Sequence, residues 1–292
     1  MSDSSATTHR YCGRQFTIDE MEQIRALITS EAKPNRAQLS RLVCDQFGWL
    51  AANGRRKEMS CRVAMLRMHR DGLIHLPPPQ KGNGNGRHRP RITAASDPPL
   101  RWLSDGDWKS LAFRPVQSPA DSALFNELVQ RYHYLKYKPL PGAQIRYMVF
   151  SGPDLLAVLG FGASAWTLAP RDRLIGWTAQ QRQHNLHRVV NNARFLILPW
   201  IRSPNLASRI LSGVVKQLPQ DWQDRYRYAP VLLETFVEQS RFRGTCYRAA
   251  NWLHVGQTQG RGKLDRENRY ALPVKDIFLY PLHKHFKRHL CQ

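Results

Sequence analysis

Apolar residues recur at helical spacing through the first seventy or so positions, and polar residues mark where each helix begins. Thr17, Ile18, Asp19 and Glu20 have the pattern of a capping box, and Ile18, Met21, Ile24, Leu27 and Ile28 follow on one face. A second helix starts at Asn35, with Gln38 at the box position. Leu39, Leu42, Val43 and Phe47 form its apolar face, and Gly48 stops it. A third is predicted from about Arg55 to Arg70, with Met59, Val63 and Leu66 turned inward. Asp71 and Gly72 then turn the chain into a short strand over 73–76, closed by three prolines.

The pattern lapses over 77–98, a Pro/Gly/Asn stretch with basic residues and too few apolar ones to pack. The division expected is therefore a helical domain over 1–76, a basic linker over 77–98 and a mixed domain over 99–292. In that last part, strands are predicted at 111–116, 145–150 and 155–161, the latter two joined by a Ser-Gly-Pro-Asp hairpin turn. A helix over 118–134 has Ala123, Leu124, Leu128 and Val129 inward. A polar, partly helical stretch over 178–190 leads to a strand at 193–200. A helix over 205–218 presents Leu206, Ile210, Val214 and Leu218 on one face. A strand at 231–237, a short helix at 245–253 and short strands or turns at 256–260 and 277–282 complete an α+β chain.

The charge narrows what such a chain meets. It has 292 residues, with 44 Lys and Arg against 22 Asp and Glu, a net of +22. That exceeds the net charge of about 2–8 that keeps a small domain soluble, and nucleic acid is the default polyanion. Residues 1–80 carry 12 basic and 8 acidic side chains, and residues 121–292 carry 25 and 11, so most of the excess lies in the mixed domain. The longest uncharged stretch, 155–170, is shorter than the ~18 residues a membrane span needs, and no basic amphipathic helix suits a membrane surface. Five scattered cysteines with no Cys-x-x-Cys and no signal-peptide pattern point to a reducing cytosol.

Three helices followed by a strand is the order of a winged helix-turn-helix, in which a basic helix enters the major groove. Arg55, Arg56, Lys57, Arg62 and Arg67 would then be its DNA contacts; a helical bundle with solvated arginines is the alternative. In the mixed domain, Arg241, Arg243, Arg248, Arg261 and Lys263 crowd a glycine-containing segment beside Tyr247 and Trp252. Cations interleaved with aromatics suit single-stranded or distorted nucleic acid, where bases stack on rings and phosphates meet charges. Arg194, leading into a strand, either holds a phosphate or pins its loop. His133, between two tyrosines at a helix end, is a base, a stacking platform or a structural cap. Two-metal cleavage needs a carboxylate cluster, and the acidic residues of 121–292 form no convincing pair, so no metal site is assigned.

The succession from 193 to the C-terminus resembles the core of the GNAT acyltransferase fold. In that family a loop of Arg/Gln-x-x-Gly-x-Gly/Ala cradles the pyrophosphate of coenzyme A at a helix N-terminus. The matching stretch here is Arg202-Ser-Pro-Asn205-Leu-Ala207, with Arg202 and Ala207 in place and Asn205 where the family has glycine. Asn tolerates the left-handed conformation such a glycine supplies, whereas Pro204 removes a backbone donor. The family's Tyr-x-x-x-Gly-Phe matches the spacing of Tyr247 to Trp252. The resemblance implies Tyr247 as general acid, Glu234 as base in an apolar strand, and acyl-CoA as cofactor. The plainer alternatives are a half-buried tyrosine bonded to a carbonyl and a buried Glu–Arg pair.

Longer motifs carry a second resemblance. They are Tyr132-His-Tyr-Leu-Lys136, Val190-Asn-Asn-Ala-Arg194, Leu233-Glu-Thr-Phe-Val237, and the run from Arg241 to Trp252 followed by Gly256 to Gly262. Together they resemble the Druantia anti-phage DruA family and its relatives in bacterial mobile elements, some travelling with transposase domains. This implies a defence or mobile-element protein that works on or near DNA, with partner proteins of that system. It supplies no biochemical activity, and an acyltransferase or a transposase- or nuclease-like enzyme remains the alternative to a DNA-binding component.

Overall fold

The computed structural model describes residues 8–30, 32–52, 54–80, 90–99, 103–104, 110–260 and 272–292. Its contacts divide the chain into two compact units, Met1–Arg87 and His88–Gln292.

In the first unit a hairpin precedes the helices. Strands β1 (His9–Tyr11) and β2 (Arg14–Phe16) are joined through Cys12 and Gly13, both at positive φ, which suits a tight hairpin turn. Helices α1 (Ile18–Thr29), α2 (Arg36–Gln46) and α3 (Glu58–Arg70) follow, and Thr17 and Asn35 both form complete capping boxes.

Several expectations fail here, beginning with Ile18 of α1 and Leu42 of α2, which are 49% and 42% exposed. The inward face of α3 is Cys61, Ala64, Met65 and Met68, while Met59 is 62% and Val63 38% exposed. Both sets satisfy helical spacing; the small side chains of Cys61 and Ala64 let α3 lie close to α2, where Cys61 meets Cys44. Residues 73–76 are extended but belong to no sheet. Their backbone is held by side chains instead: Arg25 Nε donates to Leu73 O at 2.9 Å and Arg36 Nε to Pro77 O at 2.6 Å. Ile74 and Leu76 are buried beneath them. Among the described residues, then, no strand follows α3 as a winged helix would have it.

The second unit begins with β3 (Leu103–Ser104), β4 (Ala112–Pro115), α4 (Pro119–Tyr132), β5 (Ile145–Ser151), β6 (Asp154–Ala163), α5 (Ala169–Ile175) and α6 (Ala179–Asn185). There follow β7 (Val189–Ile197), β8 (Ile201–Arg202), α7 (Leu206–Tyr226), β9 (Leu232–Glu238), α8 (Thr245–Ala249), β10 (Leu253–Gln257), β11 (Lys275–Pro281) and α9 (Phe286–Leu290). Seven strands form one mixed sheet in the order β10-β11-β9-β7-β6-β5-β4, antiparallel throughout except for β7 and β9. The short β3 and β8 pair in parallel elsewhere.

Helix α7 covers one face. A Cβ on its Gly213 would lie 2.4 Å from the Phe113 ring, and Tyr147 of β5 donates to its Asp221 at 2.6 Å. Helix α4 lies on the other face, where Arg146, the neighbour of Tyr147, donates to Asn126 and Ser122 at 3.0 Å. The alternation of a strand thus sends successive side chains to opposite helices. Two boundaries differ from the expected ones. Strand β7 starts at Val189 and takes in Asn191 and Asn192 by pairing with β6 and β9; the Asn192 amide is buried and donates to Arg194 O at 3.1 Å. Helix α7 runs two turns past Leu218, its Trp222 fully enclosed, and carries Pro219 inside.

Candidate nucleic-acid interface

The parallel strands β7 and β9 pair only at Val189/Leu232, Val190/Leu233 and Asn191/Glu234. Beyond that they separate, and β7 carries a bulge at Ala193, so that Asn192 faces Phe161 while Arg194 faces Gly160. This leaves a gap between the parallel strands. Here it is occupied by side chains. Thr235 Oγ1 donates to Asn192 O at 3.0 Å, and the Tyr247 hydroxyl donates to Asn192 Oδ1 at 2.9 Å.

The chain brings Tyr247 there through Gly244, which has φ of +67° before α8 and whose Cβ would lie 2.6 Å from the Phe278 ring. The Tyr247 ring then stacks on Phe278, with centroids 5.7 Å apart, and meets Phe195 and Trp252 edge-on. Burial pushes the Tyr247 phenol well above its ordinary value.

Glu234 is fully buried and its oxygens are already taken. Ala165 N donates to Oε1 at 2.7 Å and Arg171 to Oε2 at 2.7 Å. Burial raises its carboxyl, with Arg171 opposing, yet a carboxylate so engaged has no open lone pair facing solvent and serves as a loop anchor rather than a base. Arg171 in turn is fully enclosed and donates to Ala165 O and, twice, to Asp172 Oδ1 at 2.9 and 2.8 Å. This network was hidden from the sequence, because 164–177 shows no clean periodicity and Arg171 reads as surface.

The loop matching the pyrophosphate cradle is partly as expected. Asn205 does take the left-handed conformation at φ 57°, and α7 starts beside it with Ala207 half-buried and Arg202 exposed. Pro204 has no N–H to offer, Leu206 N is drawn back toward Ser203 O, and the strand gap is filled. The residues present do not fit an acyl-CoA.

The cations gather at the outer end of β9. Arg241, Phe242 and Arg243 are exposed in the turn after the strand. Arg241 donates to Glu238 at 2.9 Å, and its guanidinium lies 5.3 Å over the Tyr134 ring. Phe242, 50% exposed, sits 5.4 Å from the same ring. Arg248 donates to Arg243 O and lies 5.2 Å over Phe278. Next to it, Asp276 accepts from Gln239 and His254 at 2.8 and 3.0 Å. Burial pushes that carboxyl up, but the two bonds and the nearby charges hold it below its ordinary value.

Tyr134 stacks on His133, and burial followed by the Arg194 charge pushes His133 down to about 4. Arg194 itself is half-buried. Thus the motifs around 132–136, 190–194 and 241–252 meet at one place. Sequence reasoning treated Tyr134 and Phe242 only as flanking residues; their signal was the aromatic–cation alternation.

Elsewhere the placement is plainer. In the first unit Arg56 pairs with Asp45, and Arg62 pairs with Glu58 at 3.3 Å, while Arg55, Lys57 and Arg67 are exposed. Arg261 and Lys263 lie outside the described residues. Among the described residues no group of His, Cys, Asp and Glu could hold a metal ion, and no helix is long and apolar enough to cross a membrane.

A family model described as Druantia protein DruA matches residues 105–271, more than half of the chain. The chain belongs to the DruA family. The DruA match takes in Tyr134, Arg194, Tyr247 and the 241–248 cations, while Asp276 and Phe278 lie just beyond it. No curated protein matches the sequence. Among solved structures, a spermidine N-acetyltransferase chimera involving Vibrio cholerae aligns at TM-score 0.39 and 11% identity, over 59% of this chain and 95% of that one. The ribosomal-protein-S18-alanine N-acetyltransferase of Escherichia coli aligns at 0.37 and 8%, over 59% and 94%. A probable GNAT-family acetyltransferase of Chromobacterium violaceum aligns at 0.37 and 13%, over 70% and 97%. Overlap that low says nothing about activity.

Proposed function

We propose that this chain is a nucleic-acid-binding component of a bacterial anti-phage or mobile-element system, acting with partner proteins of that system in the cytoplasm. The observation that carries the reading is the surface at the end of β9. Arg241 lies over the Tyr134 ring, Phe242 sits beside that ring and is half exposed, and Arg243 and Arg248 follow in the same segment, Arg248 over Phe278. Bases stack on such rings while phosphates meet the guanidiniums. The exposed Arg67 and Lys57 of the first unit, beside its α2–α3 helix pair, suit a second contact with duplex, in the manner of a helix-turn-helix.

Binding of labelled single-stranded and duplex DNA, followed by anisotropy over a salt series, tests this. The expected log K falls steeply with log salt, by about 0.7 per phosphate contact on single strands. Binding absent at low salt, or indifferent to salt, would overturn it. An acyltransferase reading has the element order and the left-handed Asn205 in its favour. Against it stand the filled strand gap, Pro204 and an engaged Glu234. No thermal stabilisation by millimolar acetyl-CoA is expected.

A further inference from the structure

On the α4 face of the sheet, Arg146 of β5 and Arg194 of β7 flank Gly160 of β6 in one cross-strand row. Their backbones are two strand spacings apart, roughly 10 Å. The glycine lets its neighbours close over the row: a Cβ there would lie 3.3 Å from Leu140 Cδ1, 3.4 Å from Arg194 Cβ and 3.6 Å from the Phe125 ring. Both arginines line a cavity of about 130 Å³, whose wall also includes Ser122, Tyr137, Lys138 and Gln144 and contains no acidic residue. A water occupies about 30 Å³, so the space suits a small polyatomic anion.

The two guanidiniums are half-buried, and charges drawn out of water are normally paired. Among the described residues neither has a carboxylate partner. Arg146 donates to two neutral oxygens, Asn126 Oδ1 and Ser122 Oγ. Arg194 donates to Ala193 O at 2.7 Å, and its Nε is buried with no partner at all. Burial pushes both guanidiniums below their ordinary value, yet a guanidinium keeps its proton in a protein. Two desolvated cations around an open, carboxylate-free space lack their counter-charge.

We propose that this cavity is a phosphate site, taking a phosphomonoester group between Arg146 and Arg194 with Lys138 at its rim. The chemistry is shared by a free phosphate compound and by the terminal phosphate of a nucleic-acid strand. The second source rests on the function proposed above, because Tyr134, under Arg241 and Phe242, is also the ring beside Arg194. The first source does not depend on it.

Calorimetric titration of the full chain with inorganic phosphate, at constant ionic strength, is the test. Saturable binding is expected, weakened about 10- to 100-fold in Arg146→Gln and in Arg194→Gln, the range for losing a charge-assisted bond. Arg194→Lys keeps the charge but loses the planar fork and should weaken binding about tenfold without disturbing the fold. No saturable heat with the wild-type chain, or equal affinity in folded Arg146 and Arg194 variants, overturns the proposal. Oligonucleotides with and without a 5′-phosphate separate the sources. Tighter binding of the phosphorylated strand, lost in Arg194→Gln, assigns the site to strand ends. Equal binding of both strands, with phosphate still bound, assigns it to a free phosphate compound. Phosphate binding with no oligonucleotide binding leaves the site standing and removes the nucleic-acid reading.

Discussion

Arg171 and the pair Arg146/Arg194 sit in the same unit and face opposite situations. Arg171 has no exposed surface, and Glu234, Asp172 and Ala165 O take up its donors. Arg146 and Arg194 are half-buried beside a cavity and, among the described residues, have no carboxylate partner. A buried charge that is fully paired ties elements together: Arg171 and Asp172 begin α5, Glu234 lies mid-β9, and Ala165 is in the connection between β6 and α5. A desolvated charge without a partner contributes nothing comparable to folding and is free to receive a ligand. The fold keeps both kinds of arginine within one sheet, so substitution can tell them apart.

The largest effect should come from Arg171→Met. It leaves Glu234 buried without its cation, and breaking a buried pair in this way costs about 3–5 kcal/mol. Arg194→Met, by contrast, removes a desolvated cation that has no counter-charge, and should leave stability unchanged or raise it. Urea unfolding of the two variants side by side measures the difference. Similar losses in both would break the comparison.

Acid sharpens it next. His133 is 6% exposed, and it is held down to about 4, first by burial and then by Arg194. In an unfolded chain a histidine titrates near 6.5. Between those values the unfolded state binds the proton and the folded state does not, so folding is favoured at the upper end. This stability is fully present above about 6.5 and lost as pH falls toward 4, to an extent of about 3 kcal/mol at most. His133→Asn, which can still accept from Leu135 N as the imidazole does at 3.1 Å, should flatten that part of the profile. Phosphate beside Arg194 should shrink the loss, because it offsets the charge that disfavours the imidazolium. A wild-type profile with no slope between pH 6.5 and 4 would remove His133 from the comparison.

How much of this was legible beforehand follows from what each residue's neighbours in sequence reveal. Caps and hairpin turns are local, so Thr17, Asn35 and the turn between β5 and β6 were placed from the letters alone, as was the order of elements from β7 to β9, though not the start of β7 or the end of α7. The inward face of α3 was not, because two stripes of apolar residues share that helix and only contact with α2 chooses the one with the smaller side chains. Nor was the network of Arg171, whose partner Glu234 is 63 positions away. The candidate cations were found as a composition around 241–248, whereas the row Arg146–Gly160–Arg194 depends on strand register, which the sequence does not state. Glu234 drew notice as an acid in an apolar strand; which of its two readings holds was decided by an arginine that looked like surface.

Tyr247 tests a neutral group in the same buried setting. Tyr247→Phe keeps the ring stack on Phe278 but leaves Asn192 Oδ1 enclosed without its donor. An unsatisfied buried acceptor costs about 1–3 kcal/mol, less than the loss expected for Arg171→Met and read in the same urea experiment. Nucleic-acid affinity should not change, because the hydroxyl points into the strand gap and not toward Arg241. A stable Tyr247→Phe with altered binding would instead make the phenol part of the interface.

Arg241 supplies the remaining combination, an arginine that is paired but exposed. Its guanidinium bonds Glu238 at 2.9 Å with 56% of its side chain open to solvent. Exposed pairs of this kind contribute about 0–1 kcal/mol, so Arg241→Gln should alter unfolding least of all the substitutions considered. Its effect belongs in the salt series instead. If Arg241 meets a phosphate, the slope of log K against log salt on single strands should fall by about 0.7 in magnitude, while the contact of Phe242 with Tyr134 persists. An unchanged slope with weakened affinity would mean that Arg241 acts by orienting Tyr134 rather than by neutralising phosphate. With the expected change of slope, pairing and exposure together say what an arginine in this unit is for: buried and ion-paired for the fold, half-buried without a carboxylate for a phosphate group, exposed over a ring for the strand.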